Sequence, residues 1–484
     1  RRAAVSGSGL ILAAGSTQQT LTGALLQGGD TANATLVLPN IRVGQGGVST
    51  EFSIHNVGAG GPSLRGALQN TGISNAGLSG SGVTAQNWGA LAQGGDAAVF
   101  SISFDPAFGQ ALSGQTLQVV NNFDNVAGQT LTITGSAFNL ASASPATPNP
   151  VLFANQREGG SLSQALSLSN LAPADGFSES LNASISGSGA VLASGSFSLL
   201  AAGASNNTAL VVGLDTGSAG AKAGTATIQL ASDGTGSSGF GALDIGSQSV
   251  SVSGKVYRLA SASAATPNPV VLANQRVGDS ATQALTISNT ALADGFSEAL
   301  NVSISGSGAV NTGGSVNQLA AGASSSNLFV GLDTSSAGAK SGTATLALAS
   351  DGTGSSGFGA LGIGSQTVNV SGKVYRLASA SVASPNPVML ANQRVGGGLT
   401  QQLSVANTAA ADGFSESLNA SIAATGDTTA GGSFSLLAAG ATSTALFVGV
   451  DTSSAGAKSG SAEITLASDG SGSSGFGALV ISTQ

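Results

Sequence analysis

The sequence predicts an all-β protein built from tandem β-sandwich domains in a linear array. Three observations support this: a repeat of about 118 residues, short stretches of alternating apolar and polar residues, and a composition rich in glycine and small aliphatic side chains. The repeat is the strongest of the three because it sets the domain boundaries. Its period fits a whole sandwich of about 100 residues and is too long for one unit of a solenoid.

Four segments recur in step along the chain. The segment PNPVLFANQREG begins at Pro148 and returns with small changes at Pro267 and Pro385, which gives spacings of 119 and 118 residues. The other three are ADGFSE, DTxSAGAK and SDGxGSSGFGAL, and their first residues are Ala174, Ala293 and Ala411, then Asp215, Asp333 and Asp451, then Ser232, Ser350 and Ser468. Three similar domains therefore follow one another without linkers.

A divergent first copy is placed by its two ends. LPNIRVG from Leu38 resembles LANQRVG from Leu272, and the strand from Thr130 resembles the strand from Ser249. The predicted domains are residues 12–139, 140–258, 259–376 and 377–484. Residues 1–11 are predicted to be the closing strand of a preceding or neighbouring domain.

Within one domain, alternation predicts the strands. In the domain from 259 to 376, Leu285 and Ile287 should face the core while Thr286 and Ser288 face water. Runs of this kind are bounded by Gly, Ser, Asn or Asp, which favour turns. About seven strands and no helix are expected in each domain.

Composition and charge exclude several classes of function. The net charge of −8 comes with no basic cluster, so nucleic acid is an unfavourable partner. The chain has no Cys and a single His, which leaves neither disulfides nor a thiolate or histidine metal cluster. No apolar run approaches the roughly 20 residues of a transmembrane segment. We expect no cofactor and no bound metal.

The order of short motifs resembles a known family. An xNxRVG strand, a strand ending in SNT or ANT, an LAAGAS turn, an FVGLDTxSAG stretch and a closing VSGKVY strand follow one another in the repeats. This order resembles bacterial choice-of-anchor D repeat proteins, whose domains are similar to the ASPM-SPD-2-Hydin type. The resemblance, strongest from Leu140 onward, implies immunoglobulin-like β-sandwich domains, no enzymatic activity, and an extracellular or cell-surface location on a Gram-negative bacterium.

Two single residues are candidates for a functional role. His55 lies beside the core position Ile54, so alternation points it outward, and no repeat offers it a catalytic partner. Trp88 is expected to fill a core or an interdomain contact. We therefore predict that the protein is not an enzyme.

The carboxylates repeated in DGFSE allow two interpretations. They are Asp175 and Glu179, Asp294 and Glu298, and Asp412 and Glu416. A calcium site is one, but calcium loops bring together more oxygen ligands than two side chains offer. The favoured alternative is a turn in which the Asp caps backbone amides and the Phe fills the edge of the sandwich.

The glycine-rich SDGTGSSGFG segments are predicted to be hairpin connections. They lack the GK[ST] ending and the strand–helix context of a phosphate-binding loop. The sequons at Asn182, Asn301 and Asn419 fall at equivalent positions, and we interpret them as strand residues rather than glycan sites.

The two ends of the sequence complement each other. Residues 5–7 (VSG) match residues 252–254 of a closing strand, whereas the last domain ends at ISTQ without a counterpart of TVNVSGKVYR. One interpretation is a window cut from a longer repetitive chain. The other is donor-strand exchange, in which a strand from a neighbouring molecule completes an open sandwich. The candidate polymer-interface residues are Val5, Gly7, Leu10, Leu12 and Ile481.

The predicted function is structural: an extracellular filament, sheath or surface layer built from tandem repeats. Its expected partner is itself, as a homopolymer joined head to tail, because a heterologous contact that does not close propagates as a fibre. The alternative is the stalk of a large bacterial surface adhesin, whose cell-surface or host ligand the sequence does not identify.

Overall fold

A computed structural model describes residues 10–14, 25–28, 33–56, 63–74, 77–92, 98–122 and 127–484. These residues are all-β, as predicted, and the one helical segment among them is a 3-10 turn at Ser81–Val83. The chain forms two compact units, Arg1–Gly217 with Ala221–Lys255, and Ser218–Gly220 with Val256–Gln484. The first unit holds the first and second sandwiches, and the second unit holds the third and fourth.

The first sandwich packs two sheets face to face. Its described strands are β1 Leu10–Ala14, β2 Leu25–Gly28, β3 Ala34–Val37, β4 Ile41–Arg42, β5 Val48–Asn56, β6 Leu64–Asn70, β7 Leu78–Ser79, β8 Gln86–Leu91, β9 Ala98–Phe104, β10 Gln110–Asn121 and β11 Gln129–Phe138. One sheet has the order β1-β5-β9-β7, and the other has the order β2-β3-β11-β10-β6-β8 with β4 beside β11. Alternating residues of β5 supply the core, where Phe52 stacks on Phe100 with ring centroids 5.4 Å apart.

The second sandwich has a larger and a smaller sheet. Its strands are β12 Val151–Leu152, β13 Gln156–Arg157, β14 Ser163–Ser169, β15 Ser180–Gly189, β16 Val191–Ser194, β17 Ser196–Leu200, β18 Ser205–Leu214, β19 Gly220–Asp233 and β20 Leu243–Tyr257. The larger sheet has the order β12-β20-β19-β15-β17, and the smaller one has the order β14-β18-β16. Aliphatic residues fill the space between the sheets, with Leu166, Leu168, Leu210 and Val212 fully buried.

The third sandwich repeats this arrangement. Its strands are β21 Val270–Val271, β22 Gln275–Arg276, β23 Thr282–Ser288, β24 Ala299–Gly308, β25 Val310–Gly313, β26 Ser315–Leu319, β27 Ser324–Leu332, β28 Gly338–Asp351 and β29 Leu361–Tyr375. Leu285 and Ile287 are fully buried while Thr286 and Ser288 are not, which is the alternation expected from the sequence.

The fourth sandwich has a similar but less buried core, and its larger sheet has fewer strands than that of the third. Its strands are β30 Thr400–Ala406, β31 Ser417–Gly426, β32 Thr428–Gly431, β33 Ser433–Leu437, β34 Thr442–Val450, β35 Gly460–Asp469 and β36 Leu479–Thr483. The larger sheet runs β33-β31-β35-β36, and the smaller one runs β30-β34-β32.

Candidate functional site

The glutamate of DGFSE is the most buried acidic group of each repeat. Glu179, Glu298 and Glu416 have no exposed surface. Two serine hydroxyls hold Glu179: Ser232 donates to Oε2 at 2.7 Å, and Ser238 donates to Oε1. Because a buried carboxylate is costly without compensation, such a group needs a positive partner as well.

In the first unit the partner of Glu179 is Arg42, which belongs to the preceding sandwich. Arg42 Nε lies 2.8 Å from Oε1 and 3.0 Å from Oε2 of Glu179. Its Nη2 donates to the carbonyl of Gly241 at 2.5 Å, and its Cζ lies 5.0 Å from the ring centroid of Phe240. The guanidinium thus joins the first sandwich to the second by charge, hydrogen bonds and cation–π contact.

The second unit repeats this contact between the third and fourth sandwiches. Arg276 forms a two-pronged pair with Glu416, with Nε to Oε1 at 2.9 Å and Nη2 to Oε2 at 3.0 Å. Its Nη2 also donates to Gly477 O at 3.0 Å, and its Cζ lies 4.8 Å from the ring centroid of Phe476. We call these two contacts the arginine–glutamate junctions.

The electrostatic balance of the second junction favours the ionised carboxylate. Burial would raise the pKa of Glu416, but hydrogen bonds from Arg276, Ser474 and Ser468 together outweigh it and hold the pKa below its ordinary value. The serine hydroxyls lie 2.5 and 2.7 Å from the carboxylate oxygens. The pair is therefore charged at neutral pH, and its strength depends on every partner being present.

An asparagine two residues before each arginine adds a second clamp. Asn40 Nδ2 donates to the carbonyl of Ser238 at 2.9 Å, and Asn274 Nδ2 donates to the carbonyl of Ser474 at the same distance. The N-x-R pattern works because alternate residues of an extended segment point the same way. Both side chains then reach the same loop of the next sandwich.

The other residues of DGFSE also take part in contacts at the sandwich ends. Phe414 packs on Tyr375, the last residue of β29, with ring centroids 5.8 Å apart. Asp412 Oδ2 accepts a hydrogen bond from Arg376 Nη1 at 2.7 Å, which holds the pKa of Asp412 below its ordinary value. In the first unit Phe177 packs on Phe138 in the same way, at 5.9 Å.

These contacts correct part of the interpretation of DGFSE as a simple turn. The Asp does cap the turn, since Asp175 Oδ1 accepts a hydrogen bond from the amide of Phe177 at 2.8 Å. The interpretation gave the Glu no role, and in the structure it points into the interior and, in Glu179 and Glu416, binds an arginine of the preceding sandwich. Among the described residues, no group of three or more His, Cys, Asp or Glu side chains could hold a metal ion.

The glycine-rich segment connects neighbouring antiparallel strands, as predicted, and it also builds the glutamate pocket. A Cβ on Gly234 would collide with Ser238 Oγ and Glu179 Oε1, and one on Gly470 would collide with Ser474 Oγ. Glycine is therefore needed where the loop folds over the carboxylate.

The junctions were not among the predictions from sequence, although the sequence carries a signal for them. The divergent first copy keeps Asn40 and Arg42 although it has no DGFSE segment of its own. A residue pair that persists in a domain without its partner motif points to a partner in the next domain. The N-x-R and DGFSE motifs therefore belong to one contact.

The third sandwich shows how the closing strand completes a domain. Strand β29 lies between β28 and the short strands β21 and β22. Its register on β28 places Gln366 opposite Leu346, Val368 opposite Ala344 and Val370 opposite Gly342. Val368 and Val370 are buried to 0% and 2% exposure, so this half of β29 is part of the core.

In the fourth sandwich the corresponding edge carries no strand within the described residues. Strand β36 pairs with β35 at residues 465–468, and Gln484 exchanges two backbone hydrogen bonds with Ile464 at 2.8 and 3.0 Å. Beyond this point, Gly460–Glu463 is paired on one side only, with β31. We call that unpaired side of Gly460–Glu463 the open edge.

Burial falls around the open edge. Val388 and Ala462 are only partly buried, whereas their counterparts Val270 and Ala344 are exposed by 2% and 0%.

The predicted interface residues fall in three places. Val5 and Gly7 lie outside the described residues. Leu10 and Leu12 lie in β1, which pairs with β5 of the first sandwich and begins before the predicted boundary at residue 12. Ile481 lies in β36 and packs against the core of the fourth sandwich. A role of these residues in a polymer stays a prediction.

The other singled-out residues have structural surroundings. His55 Nε2 lies 2.8 Å from Ser53 Oγ, and Trp88 is 6% exposed in the core of the first sandwich. The sequon asparagines lie in strands, as expected; for example, Asn182 Nδ2 donates to Asp233 Oδ2 at 2.8 Å and its Oδ1 accepts from Leu199 N at 2.6 Å.

In the part of the chain that is described, no helix is long and apolar enough to cross a membrane. No protein-family model and no curated protein matches this sequence.

Among solved structures, the chain is similar to the extracellular cadherin domains 1–5 of protocadherin gamma B2, at 10% identity and a TM-score of 0.33, over 73% of this chain and 60% of that one. It is also similar to EC1–4 of PcdhgB3, at 10% identity and a TM-score of 0.36, over 74% of this chain and 77% of that one. A third is FdeC, an adhesin of Escherichia coli, at 14% identity and a TM-score of 0.23, over 72% and 98%. Likenesses this weak carry no functional argument, so function is inferred from the junctions.

Proposed function

We propose that this chain is an extracellular structural protein that assembles head to tail into a filament, sheath or surface layer. The observation that carries the proposal is the pair of arginine–glutamate junctions, which fix neighbouring sandwiches to one another within each unit. A contact between unlike ends of identical copies propagates unless it closes into a ring.

The arginine–glutamate junctions support a mechanical role. Each one fixes a sandwich to its neighbour through a buried carboxylate that needs all of its partners. Such contacts resist hinge motion between the two sandwiches they join, which is what an array of domains under tension requires.

The proposed location is the outside of a Gram-negative bacterium, with no catalytic role. The resemblance of the motif order to choice-of-anchor D repeat proteins supports the location. The proposal of no catalytic role is supported by the most buried charged groups, because the two junction pairs are fully engaged in structural contacts.

A second candidate function is the stalk of a large surface adhesin. The junctions favour it equally, because a stalk also needs neighbouring sandwiches that do not bend freely. The two candidates differ in self-assembly, because only a polymer needs a contact between copies of the chain.

The test is assembly of the purified full chain, followed by sedimentation and negative-stain electron microscopy. We expect filaments above a critical concentration, and we expect a variant lacking residues 1–9 to remain monomeric. The deletion leaves every strand described here intact, so its circular dichroism should match that of the full chain. Monomers at all concentrations, or filaments formed equally well by the deletion variant, would refute the head-to-tail polymer and favour the stalk.

A further inference from the structure

We propose that Asn182, Asn301 and Asn419 each hold a bulge that prevents a second copy of the chain from pairing with the outer edge of a larger sheet. The inference goes beyond the proposed function, because it concerns strand pairing at the sheet edges and does not depend on head-to-tail assembly. It assigns a role to three asparagines that the junctions do not use.

The edge in question is a five-residue strand in each of the three similar sandwiches. Among the described strands, β17, β26 and β33 are the outermost strands of the larger sheets, and they pair on one side with β15, β24 and β31. The free side of such a strand presents N–H and C=O groups that can pair with a strand of another molecule. Because each chain carries this edge three times, weak pairing at one edge would be reinforced at the others.

Two other edges of the second sandwich are protected in different ways. Thr147 and Ser167 exchange backbone hydrogen bonds at 3.1 and 2.7 Å, so the segment before β12 covers the side of β14. Strand β12 has two residues and directly follows Pro150, which has no N–H to donate. Strand β17 has neither a cover nor a proline, so its edge needs another safeguard.

A bulge interrupts β17 opposite Asn182. Leu181 of β15 pairs with Leu200, and Ala183 pairs with Phe197. Asn182, which lies between these pairs, therefore faces two residues of β17 instead of one. The same irregularity lies opposite Asn301 and Asn419 in the third and fourth sandwiches.

The second bulge residue has a left-handed backbone in every repeat. Its φ is +55° at Leu199, +53° at Gln318 and +55° at Leu436. This conformation is disfavoured for any residue with a side chain, and it persists only where the surroundings impose it. Packing does not impose it, because the side chains of Leu199 and Leu436 are 51% and 49% exposed.

The asparagine imposes the conformation by holding the amide of the left-handed residue. Its Oδ1 accepts a hydrogen bond from that amide at 2.6 Å in the second sandwich and at 2.7 Å in the third and fourth. Its Nδ2 donates to a carboxylate, which belongs to Asp233, Asp351 or Asp469. Because a carboxylate only accepts and a backbone N–H only donates, these two contacts fix the orientation of the asparagine.

The held bulge makes the edge a poor template for another strand. An incoming strand needs N–H and C=O groups that alternate regularly along the edge. The left-handed residue is the fourth of the five residues in each edge strand, and its amide is turned toward the asparagine. Pairing with a second copy is thus limited to a run too short to be stable.

The test is deletion of the left-handed residue from all three edges of the full-length chain, which removes Leu199, Gln318 and Leu436. Each edge strand can then pair one to one with its neighbour, and the pairs on both sides of the bulge keep their register. We expect this variant to self-associate at a concentration at least about tenfold lower than the parent. Sedimentation velocity measures the association, and a stronger intermolecular β-sheet band in the infrared spectrum identifies strand pairing.

The matched control replaces the same three residues with glycine. Glycine keeps the bulge and its left-handed conformation without the steric cost, so this variant should be at least as stable as the parent. Its association should stay within about twofold of the parent. Both variants lose the same exposed side chains, so a difference between them reports the bulge itself.

A third variant covers the case in which the deletion prevents folding, as judged by circular dichroism. Replacing the three asparagines with alanine removes the acceptor without changing the chain length, and association should rise above that of the parent. A folded deletion variant that associates no more than the parent, or a glycine variant that associates as strongly as the deletion, would overturn the proposal. Where the deletion unfolds, an alanine variant that associates no more than the parent would overturn it. All variants are compared below the concentration at which the parent assembles, so failure of the head-to-tail polymer leaves this result unchanged.

Discussion

The third and fourth sandwiches have nearly the same sequence pattern and a similar core, yet they differ at two places. In the third, Arg276 is engaged with Glu416 and β29 completes the sheet. In the fourth, the equivalent Arg394 is exposed and Gly460–Glu463 has a strand on one side only. The difference teaches that the N-x-R segment is part of the contact with the next sandwich, whereas the second half of β29 belongs to the sheet of the third sandwich itself.

The largest expected effect comes from removing one junction arginine. Arg276→Ala leaves the carboxylate of Glu416 buried with two serine donors and no positive partner, so the fourth sandwich should lose about 2 to 4 kcal/mol of stability. Urea unfolding followed by hydrogen exchange in peptides from residues 400–484 measures this loss. The matched control is Arg394→Ala, which removes an exposed side chain and should change stability by less than about 0.5 kcal/mol.

Equal losses of stability in Arg276→Ala and Arg394→Ala would show that the contact of Arg276 does not stabilise the fourth sandwich. Arg276→Lys separates the effect of charge from that of geometry, because lysine keeps the charge but cannot supply the two-pronged geometry. We expect the stability of Arg276→Lys to lie between that of the parent and that of Arg276→Ala. A lysine variant as stable as the parent would mean that charge alone holds the junction.

A second, smaller effect should appear in the rates of amide hydrogen exchange along β28 of the third sandwich and β35 of the fourth. Leu346 and Gln366 are equivalent to Ile464 and Gln484, which exchange both backbone hydrogen bonds. Hydrogen-bonded residues alternate along an antiparallel pair, so the amides of Gly342 and Ala344 point toward β29. Those of Gly460 and Ala462 point toward the open edge.

Below the concentration of assembly, the amides of Gly460 and Ala462 should exchange at least about a hundredfold faster than those of Gly342 and Ala344. Ser461 is the internal control because its amide points toward β31. Assembly should slow the exchange of Ala462. Equal protection of Ala344 and Ala462 in the monomer would show that the fourth sandwich closes its own edge.

Much of the fold followed from sequence because the relevant signals are local. The segment from Pro267 forms only the two-residue strands β21 and β22, and its copy from Pro385 forms no strand, whereas alternation correctly placed Leu285 and Ile287 of β23 in the core. Turn residues bounded those strands, since glycine, asparagine and aspartate accept the backbone angles of turns.

The junctions were not predicted because their chemistry is non-local. Arg42 and Glu179 are 137 residues apart, and the one signal that links their motifs is that the first domain keeps N-x-R without a DGFSE segment. The sequence DGFSE does not distinguish an exposed turn from a turn whose glutamate is buried and accepts hydrogen bonds. Only the fold shows that Ser232 and Ser238 converge on the same carboxylate.

The smallest expected effect is that of calcium removal. It should change the stability of the third and fourth sandwiches equally little. The carboxylate of Asp294 accepts from Phe296 N at 2.9 Å and from Arg258 Nη1 at 2.7 Å, and that of Asp412 accepts from Phe414 N at 3.0 Å and from Arg376 Nη1 at 2.7 Å. Both oxygens of each group are thus engaged.

A cation at either turn would have to displace an arginine that already holds the pKa of the carboxyl below its ordinary value. Without a ligand that prefers the folded state, a chelator has no free energy of binding to remove. We therefore expect EDTA to shift the melting temperature of either sandwich by less than about 1 °C, as measured by calorimetry with and without added calcium. A drop of several degrees that calcium reverses would restore the calcium interpretation of DGFSE, and a drop confined to the fourth sandwich would place the ion near its open edge.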